Sequence, residues 1–177
     1  PFGSPATVFR NCLLYDNRAS NEGGAVYLSS GGRKIDIYSS TITSNRSHGA
    51  SGAIHLSSSD NELWMNNSIL TLNYGGSNLD DDSGATLVVS NNCCPELDGI
   101  GTDNITNNPG FVGFAGLDFH LTGEGDSPCV NEGLNEDWMI GAMDLDGNPR
   151  VDTSYGIVDM GCYEWVPPAA GTMVTIQ

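Results

Sequence analysis

IDIYSSTITSN, residues Ile35 to Asn45, alternates apolar and small polar side chains. Ile35, Ile37 and Ile42 are the apolar members, and Ser and Thr fill the gaps. A period of two, rich in β-branched residues, predicts strands with one face buried. The same pattern recurs 28 residues away on either side. Phe9, Ile37 and Met65 share that spacing, as do Leu14, Ile42 and Leu70, and as do Asn17, Asn45 and Asn73. GGAVYL (Gly23 to Leu28) returns as SGAIHL (Ser51 to Leu56), and SGATLV (Ser83 to Val88) reads as a third copy delayed by four residues. A fixed internal period of this size signals stacked supersecondary units.

No window carries a helical 3.6-residue spacing of any length. Gly and Ser clusters at Gly23-Gly24, Gly31-Gly32, Gly49 to Gly52 and Gly75-Gly76 mark the bends. The expectation is therefore an all-β chain: a right-handed parallel β-helix, a solenoid of three to four coils about 4.8 Å apart. Inward positions should be Phe9/Ile37/Met65/Val89, Leu14/Ile42/Leu70, Val26/Ile54 and Leu28/Leu56/Val88. Tyr27 and His55 should face outward. Asn17, Asn45 and Asn73 should form an inward ladder, each amide satisfying its neighbour one coil away.

Composition narrows the function classes. Net charge is −16, with only six Lys and Arg. No basic patch exists to neutralise phosphates, so the reading is no nucleic acid partner and no anionic membrane surface. An acidic surface of this kind suits cations. No apolar run approaches 18 residues, so no direct membrane span is expected. The opening PFGSPATVF lies almost at the first repeat, which reads as an excised piece of a longer protein. The five cysteines, Cys12, Cys93, Cys94, Cys129 and Cys162, form no CxxC pair, which argues against zinc through thiolates. An odd count allows two disulfides and a free thiol. The other reading is five small buried hydrophobes.

Beyond Pro95 the repeat stops, and ordered motifs follow: NITNNPGFV, DFHL, SPCVNEG, DLDGNPR and VDMGCYE, between Asn104 and Glu164. This region resembles the C-terminal part of the bacterial right-handed parallel β-helix proteins with a choice-of-anchor ending, found in Planctomycetes, Verrucomicrobia and related bacteria. Asn104-Ile105 with Pro109 and Phe111, Asp118 to Leu121, Ser127-Pro128, Asn131 with Gly133, Asp144 to Arg150 and Asp159 to Glu164 carry the likeness. Asn108 and Cys162 depart from the usual Asp and Ala. GGAV and SGAI are similar to repeats of polymorphic outer-membrane proteins. The organisation expected is β-helix coils over 1–103, an irregular C-terminal cap over 104–166 packed on the solenoid, and a tail over 167–177. The resemblance implies a protein secreted to the exterior or cell surface of a bacterium, and assigns no activity. It also implies a disulfide from the Cys93-Cys94 pair, Cys94 favoured, to Cys129.

Candidate chemistry is sparse. Some β-helices of the pectate-lyase-like type cleave polysaccharides, and such a site needs Arg or Lys beside carboxylates. Arg18 and Arg46 follow the ladder asparagines directly and should stack on one face. Asp80, Asp81 and Asp82 lie in the insertion of the third unit and could gather beside them. The bland reading is a solvated turn. Asp144, Asp146 and Asn148 alternate hard oxygen ligands around Gly147 and suit Ca²⁺. Their bland reading is a turn capped by Asp144 and Asn148, with Arg150 paired to Asp159 or Glu164. His48, His55 and His120 do not cluster by register and read as surface or packing residues.

The leading functional expectation is a non-catalytic extracellular structural or adhesive protein, whose partners are copies of itself or other cell-surface components. Met173, Val174, Thr175 and Ile176 alternate in the tail as a strand that a neighbouring subunit could accept; the equal alternative is that further coils precede this piece in the full protein and the tail is a linker to its anchor. The alternatives are a polysaccharide lyase or hydrolase and a carbohydrate-binding module.

Overall fold

The structure is a computed structural model, described here for residues 6–81, 84–151 and 156–167. Its strands in chain order are β1 (Thr7–Arg10), β2 (Leu13–Tyr15), β3 (Val26–Leu28), β4 (Lys34–Tyr38), β5 (Thr41–Thr43), β6 (Ser51–Leu56), β7 (Glu62–Asn66), β8 (Ile69–Leu70), β9 (Ser77–Asp80), β10 (Thr86–Ser90), β11 (Phe111–Gly113) and β12 (Asp118–Leu121). Only short 3-10 turns interrupt them among the described residues. The chain is all-β.

Three sheets are parallel, in the orders β1-β4-β7-β10, β2-β5-β8 and β3-β6-β9. Each takes one strand from each successive repeat. The 28-residue spacing sets the pairing: Phe9 lies opposite Ile37, Leu14 opposite Ile42 and Val26 opposite Ile54. Ile37 continues to Met65 and Met65 to Val89, as expected. Ile35, Ile37, Ile42, Ile54, Leu56, Leu63, Met65 and Leu70 are all within 1% of full burial and form one core.

Bends repeat with the same period. Asn11, Ser39 and Asn67 each have a left-handed φ, and so do Asp16, Ser44 and Leu72. Asn and Asp reach this region more easily than other side chains, because they hydrogen-bond locally. Leu72 has no such help. Glycine is required where backbones touch: a Cβ on Gly76, at φ +144, would lie 1.8 Å from the Ala50 carbonyl oxygen.

One register differs from expectation. The third copy of GGAVYL is Ser77 to Asp80, whose Leu79 pairs with Ile54. SGATLV instead leads into β10, where Val88 pairs with Trp64 and is 40% exposed. Val88 is therefore not an inward partner of Leu56. The third repeat reaches its strand sooner because Gly75 and Gly76 turn the chain through positive φ beside Ser47 and Ala50.

Residues beyond Pro95 do two things. Thr102 and Ile105 bridge to Ser90 and Cys93, laying a partial extra rung over β10. The remainder packs along the outer face of β2-β5-β8. There Ile69 and Cys93 join Leu121, Cys129, Val130 and Met160 in a second apolar core. Gly161 N–H donates to the Asn67 carbonyl at 2.8 Å, and Cys162 N–H donates to Thr41 Oγ1 at 3.2 Å. β11 and β12 form a small antiparallel hairpin whose Phe119 meets Tyr15 edge-on, 5.6 Å between centroids.

Candidate functional site

The asparagine file is continuous. Asn17 Nδ2–H donates to Asn45 Oδ1 at 2.9 Å, and Asn45 Nδ2–H donates to Asn73 Oδ1 at 3.0 Å. Asn73 Nδ2–H donates to Asn78 Oδ1 at 3.0 Å, and the Glu96 carboxylate accepts from Asn78. A carboxylate has no donor to pass on, so Glu96 ends the file. A second polar file runs one bend away. Cys12 N–H donates to Ser40 Oγ, Ser40 N–H to Ser68 Oγ, Ser68 N–H to Asn92 Oδ1 and Asn92 Nδ2–H to Asn104 Oδ1. Its sequence signal was the 28-residue spacing of Cys12, Ser40 and Ser68.

The two ends of the stack differ. At one end, β10 is followed by the bridges to Thr102 and Ile105 and by Asn104. At the other, β1 pairs with β4 alone among the described residues. Its layer is incompletely covered: Phe9 and Leu14 are half-buried, whereas Ile37 and Ile42 beneath them are fully buried. Asn11 N–H points to Tyr38 of β4. Amides alternate along a strand, so those of Val8 and Arg10 point away from β4, toward the bare edge.

Arg18, Arg46 and Tyr74 do stack in register, through bridges from one repeat to the next. The Arg46 guanidinium lies 5.4 Å from the Tyr74 ring centroid. Asp16, Arg18, Ser44, Arg46, Tyr74 and Leu117 line a shallow cleft there. Arg18 pairs with Asp16 at 3.1 Å, with both side chains more than half exposed. Asp80 and Asp81 are elsewhere, which corrects the expected Arg–Asp grouping. Asp80 pairs in register with His55 at the far end of β6, and Asp81 accepts from the Ala85 amide. Asp82 lies outside the described residues, as do Met173, Val174, Thr175 and Ile176.

At Asp144, Asp146 and Asn148 the ligand oxygens are already engaged. Asp144 Oδ1 accepts from the Asp146 and Asn148 amides, and Oδ2 from the Glu164 amide and Asn148 Nδ2. Asp146 turns instead to His120 Nε2 at 2.7 Å. These contacts are those of a capped turn. Behind it, fully buried Arg150 lies 3.1 Å from Glu164 and donates to the Gly161 carbonyl. Burial pushes Asp159 up to about 6 and Glu164 up to about 9. The DLDGNPR and VDMGCYE motifs thus lock the segment onto the stack.

His120 is held between two carboxylates, with Asp118 at 2.5 Å on Nδ1 and Asp146 at 2.7 Å on Nε2. Desolvation works against its protonation, but these partners outweigh it and raise its pKa. His55 Nδ1 lies 2.7 Å from Asp80 Oδ2, with Glu22 close by. Both pairings escaped sequence reading, the second because SGATLV was aligned in place of Ser77 to Asp80.

The cysteines also separate. Cys94 faces the main core, its thiol 3.3 Å from the Glu96 carboxylate. Cys93 faces the second core, where the Cys129 thiol hydrogen-bonds with it. Successive residues on extended backbone point to opposite faces, so Cys94 cannot be the neighbour of Cys129. All five thiols are unbridged in the structure.

No family model matches the chain, and neither a curated protein nor a solved structure matches it. No helix among the described residues is long and apolar enough to cross a membrane.

Proposed function

We propose that this chain is a non-catalytic extracellular structural or adhesive subunit of a bacterial cell surface. In this reading it is built as a right-handed parallel β-helix of the choice-of-anchor kind, and its copies join end to end through strand edges. The edge of β1, which pairs with β4 alone among the described residues, supports the reading. There the amides of Val8 and Arg10 point away from β4, above an apolar layer that the described residues half cover. Such an edge is a template for another strand. The opposite end is covered by a partial rung, so a joining contact pairs unlike surfaces. A contact of that kind does not close on itself and builds filaments.

The test is electron microscopy and sedimentation over a concentration series. The intact chain should form end-to-end oligomers. Val8→Pro should give folded monomers, because proline removes an amide that faces away from β4 and breaks no internal bond. Deleting 167–177 tests whether the tail supplies the incoming strand. An intact chain that stays monomeric at high concentration, or a Val8→Pro chain that assembles unchanged, overturns the proposal.

A second reading has one observation in its favour. The Arg18, Arg46 and Tyr74 cleft offers guanidinium donors and an exposed ring, chemistry that suits a polysaccharide. Asp80 and Asp81 lie outside the cleft and its own carboxylate, Asp16, is paired with Arg18, which favours binding over cleavage.

A further inference from the structure

Glu22, His55 and Asp80 come from three successive repeats. Glu22 lies in the loop before β3, His55 in β6, and Asp80 at the end of β9. One ligand atom from each lies within 4.8 Å of both others. His55 and Asp80 are recessed, their side chains 14% and 9% exposed. We propose that these three residues form a binding site for a first-row divalent transition cation.

Three features of the geometry support this. First, the three ligand atoms gather on one side, each within 4.8 Å of the others. His120 provides the contrast: its two carboxylates sit on opposite ring nitrogens, so no single ion could reach both. Second, His55 Nδ1 and Asp80 Oδ2 are 2.7 Å apart. Bonds of about 2.0–2.2 Å to one tetrahedral ion would put them roughly 3.4 Å apart. For His55 and Asp80 an ion therefore needs an opening of under about 1 Å, within reach of side-chain rotation. Third, the ligands are held from behind. Glu22 Oε2 accepts the Ser51 amide at 3.0 Å, and the Tyr27 ring lies 5.2 Å from that of His55. Position 49 is occupied by glycine, and a Cβ there would collide with the Glu22 carboxylate at 2.1 Å. Glu22 keeps its place only because Gly49 has no side chain. Supporting contacts of this kind tune metal affinity.

One imidazole and two carboxylates suit Zn²⁺, Mn²⁺, Fe²⁺ or Co²⁺ better than Ca²⁺, which takes oxygen ligands. Three protein ligands leave a coordination position open to water or to a group on another molecule. An ion here would also fasten three repeats together along their outer face.

The experiment uses the whole chain with Zn²⁺, read by calorimetry and by metal analysis after dialysis, and with Co²⁺, read by its visible ligand-field bands. One ion per chain should bind, and thermal stability should rise with free Zn²⁺ by mass action. Glu22→Gln, His55→Ala and Asp80→Asn should each weaken binding more than about 100-fold, since altering supporting residues alone costs 10–100-fold. His120→Ala should leave it unchanged. Glu22 is a loop residue, so its variant remains informative should a strand variant fail to fold. Absence of saturable binding overturns the proposal, as does binding that survives Glu22→Gln or is lost in His120→Ala.

Discussion

Replacing Asn45 with Ala should cost the fold far more than the same change at Asn17, although the two residues occupy equivalent positions in successive repeats. Asn45 is fully buried, and Asn17 is exposed. The two N–H bonds of the Asn45 amide are shared among the carbonyls of Leu14 and Thr43 and the Asn73 oxygen, at 2.9 to 3.0 Å. Its oxygen accepts from the Asn17 amide and side chain. Truncation leaves the Thr43 and Leu14 carbonyls and the Asn73 oxygen short of donors inside the stack. Each such loss costs about 1–3 kcal/mol, less where water can reach. Leu14 is half-buried, so the total comes to ~3–5 kcal/mol. Domains of this size are stable by about 5–15 kcal/mol, so the change removes a large share. Asn17→Ala should cost under ~1 kcal/mol, because water replaces what is lost. Urea unfolding followed by far-UV circular dichroism measures both. Equal costs for the two variants, or less than ~1 kcal/mol for Asn45→Ala, would refute the view that the file is cemented by buried amides.

The remaining predictions concern pH, pairing and activity. Asp159 and Glu164 have folded pKa values raised by burial, to about 6 and about 9. The folded state therefore binds more protons than the unfolded chain. Their contribution is fully present below about pH 4 and is lost as pH rises through those values. Asp159 alone accounts for about 3 kcal/mol. Melting temperature should fall between pH 5 and pH 9, and Glu164→Gln should flatten the upper part of that fall. A rise instead would show these carboxylates to be ionised without penalty. Under oxidising conditions, non-reducing peptide mapping should join Cys129 to Cys93. The bridge would close a loop worth ~4 kcal/mol in the chain-entropy model. A Cys94–Cys129 peptide would contradict the facing of the two thiols. Incubation with pectate, alginate and other uronates in Ca²⁺ should release no unsaturated product. Release that Arg46→Ala abolishes would favour a lyase.

The parallel sheets were legible because the repeat is long-range and nearly exact. Phe9, Ile37 and Met65 report the same position three times, which local propensity never does. The reading slipped at SGATLV, which resembles SGAIHL in letters but lies past the strand that Leu79 enters. Similar letters hid a shorter path, and the choice of SGATLV concealed Asp80 as the partner of His55. Sites outside the repeat were less legible. Nothing in the spacing of Asp118, His120 and Asp146 shows that a hairpin and a turn 26 residues apart will meet. The DLDGNPR motif reads equally well as a metal loop or a capped turn. The amides of Asp146, Asn148 and Glu164, all directed at Asp144, show the capping, which the motif alone does not.

The two halves of the chain divide the work of covering the stack. Parallel strands expose an outer face on each sheet and an edge at each end, and each needs its own cover. The residues after Pro95 cover the face of β2-β5-β8 through Ile69, Thr41 and Asn67, and they lay Thr102 and Ile105 over β10. None of the hydrogen bonds described reaches the outer edge of β1. Side chains of this region do reach β1: the Arg10 guanidinium lies 4.7 Å from the Trp138 ring centroid, and Asn11 Nδ2–H donates to the Met143 carbonyl at the bend beside that strand. Cover is thus supplied along the flank and, among the described residues, over β10. A stack finished in this way has a direction. The proposed head-to-tail joining depends on such unlike ends, because a symmetric pair of edges would just as readily meet face to face and stop at a dimer.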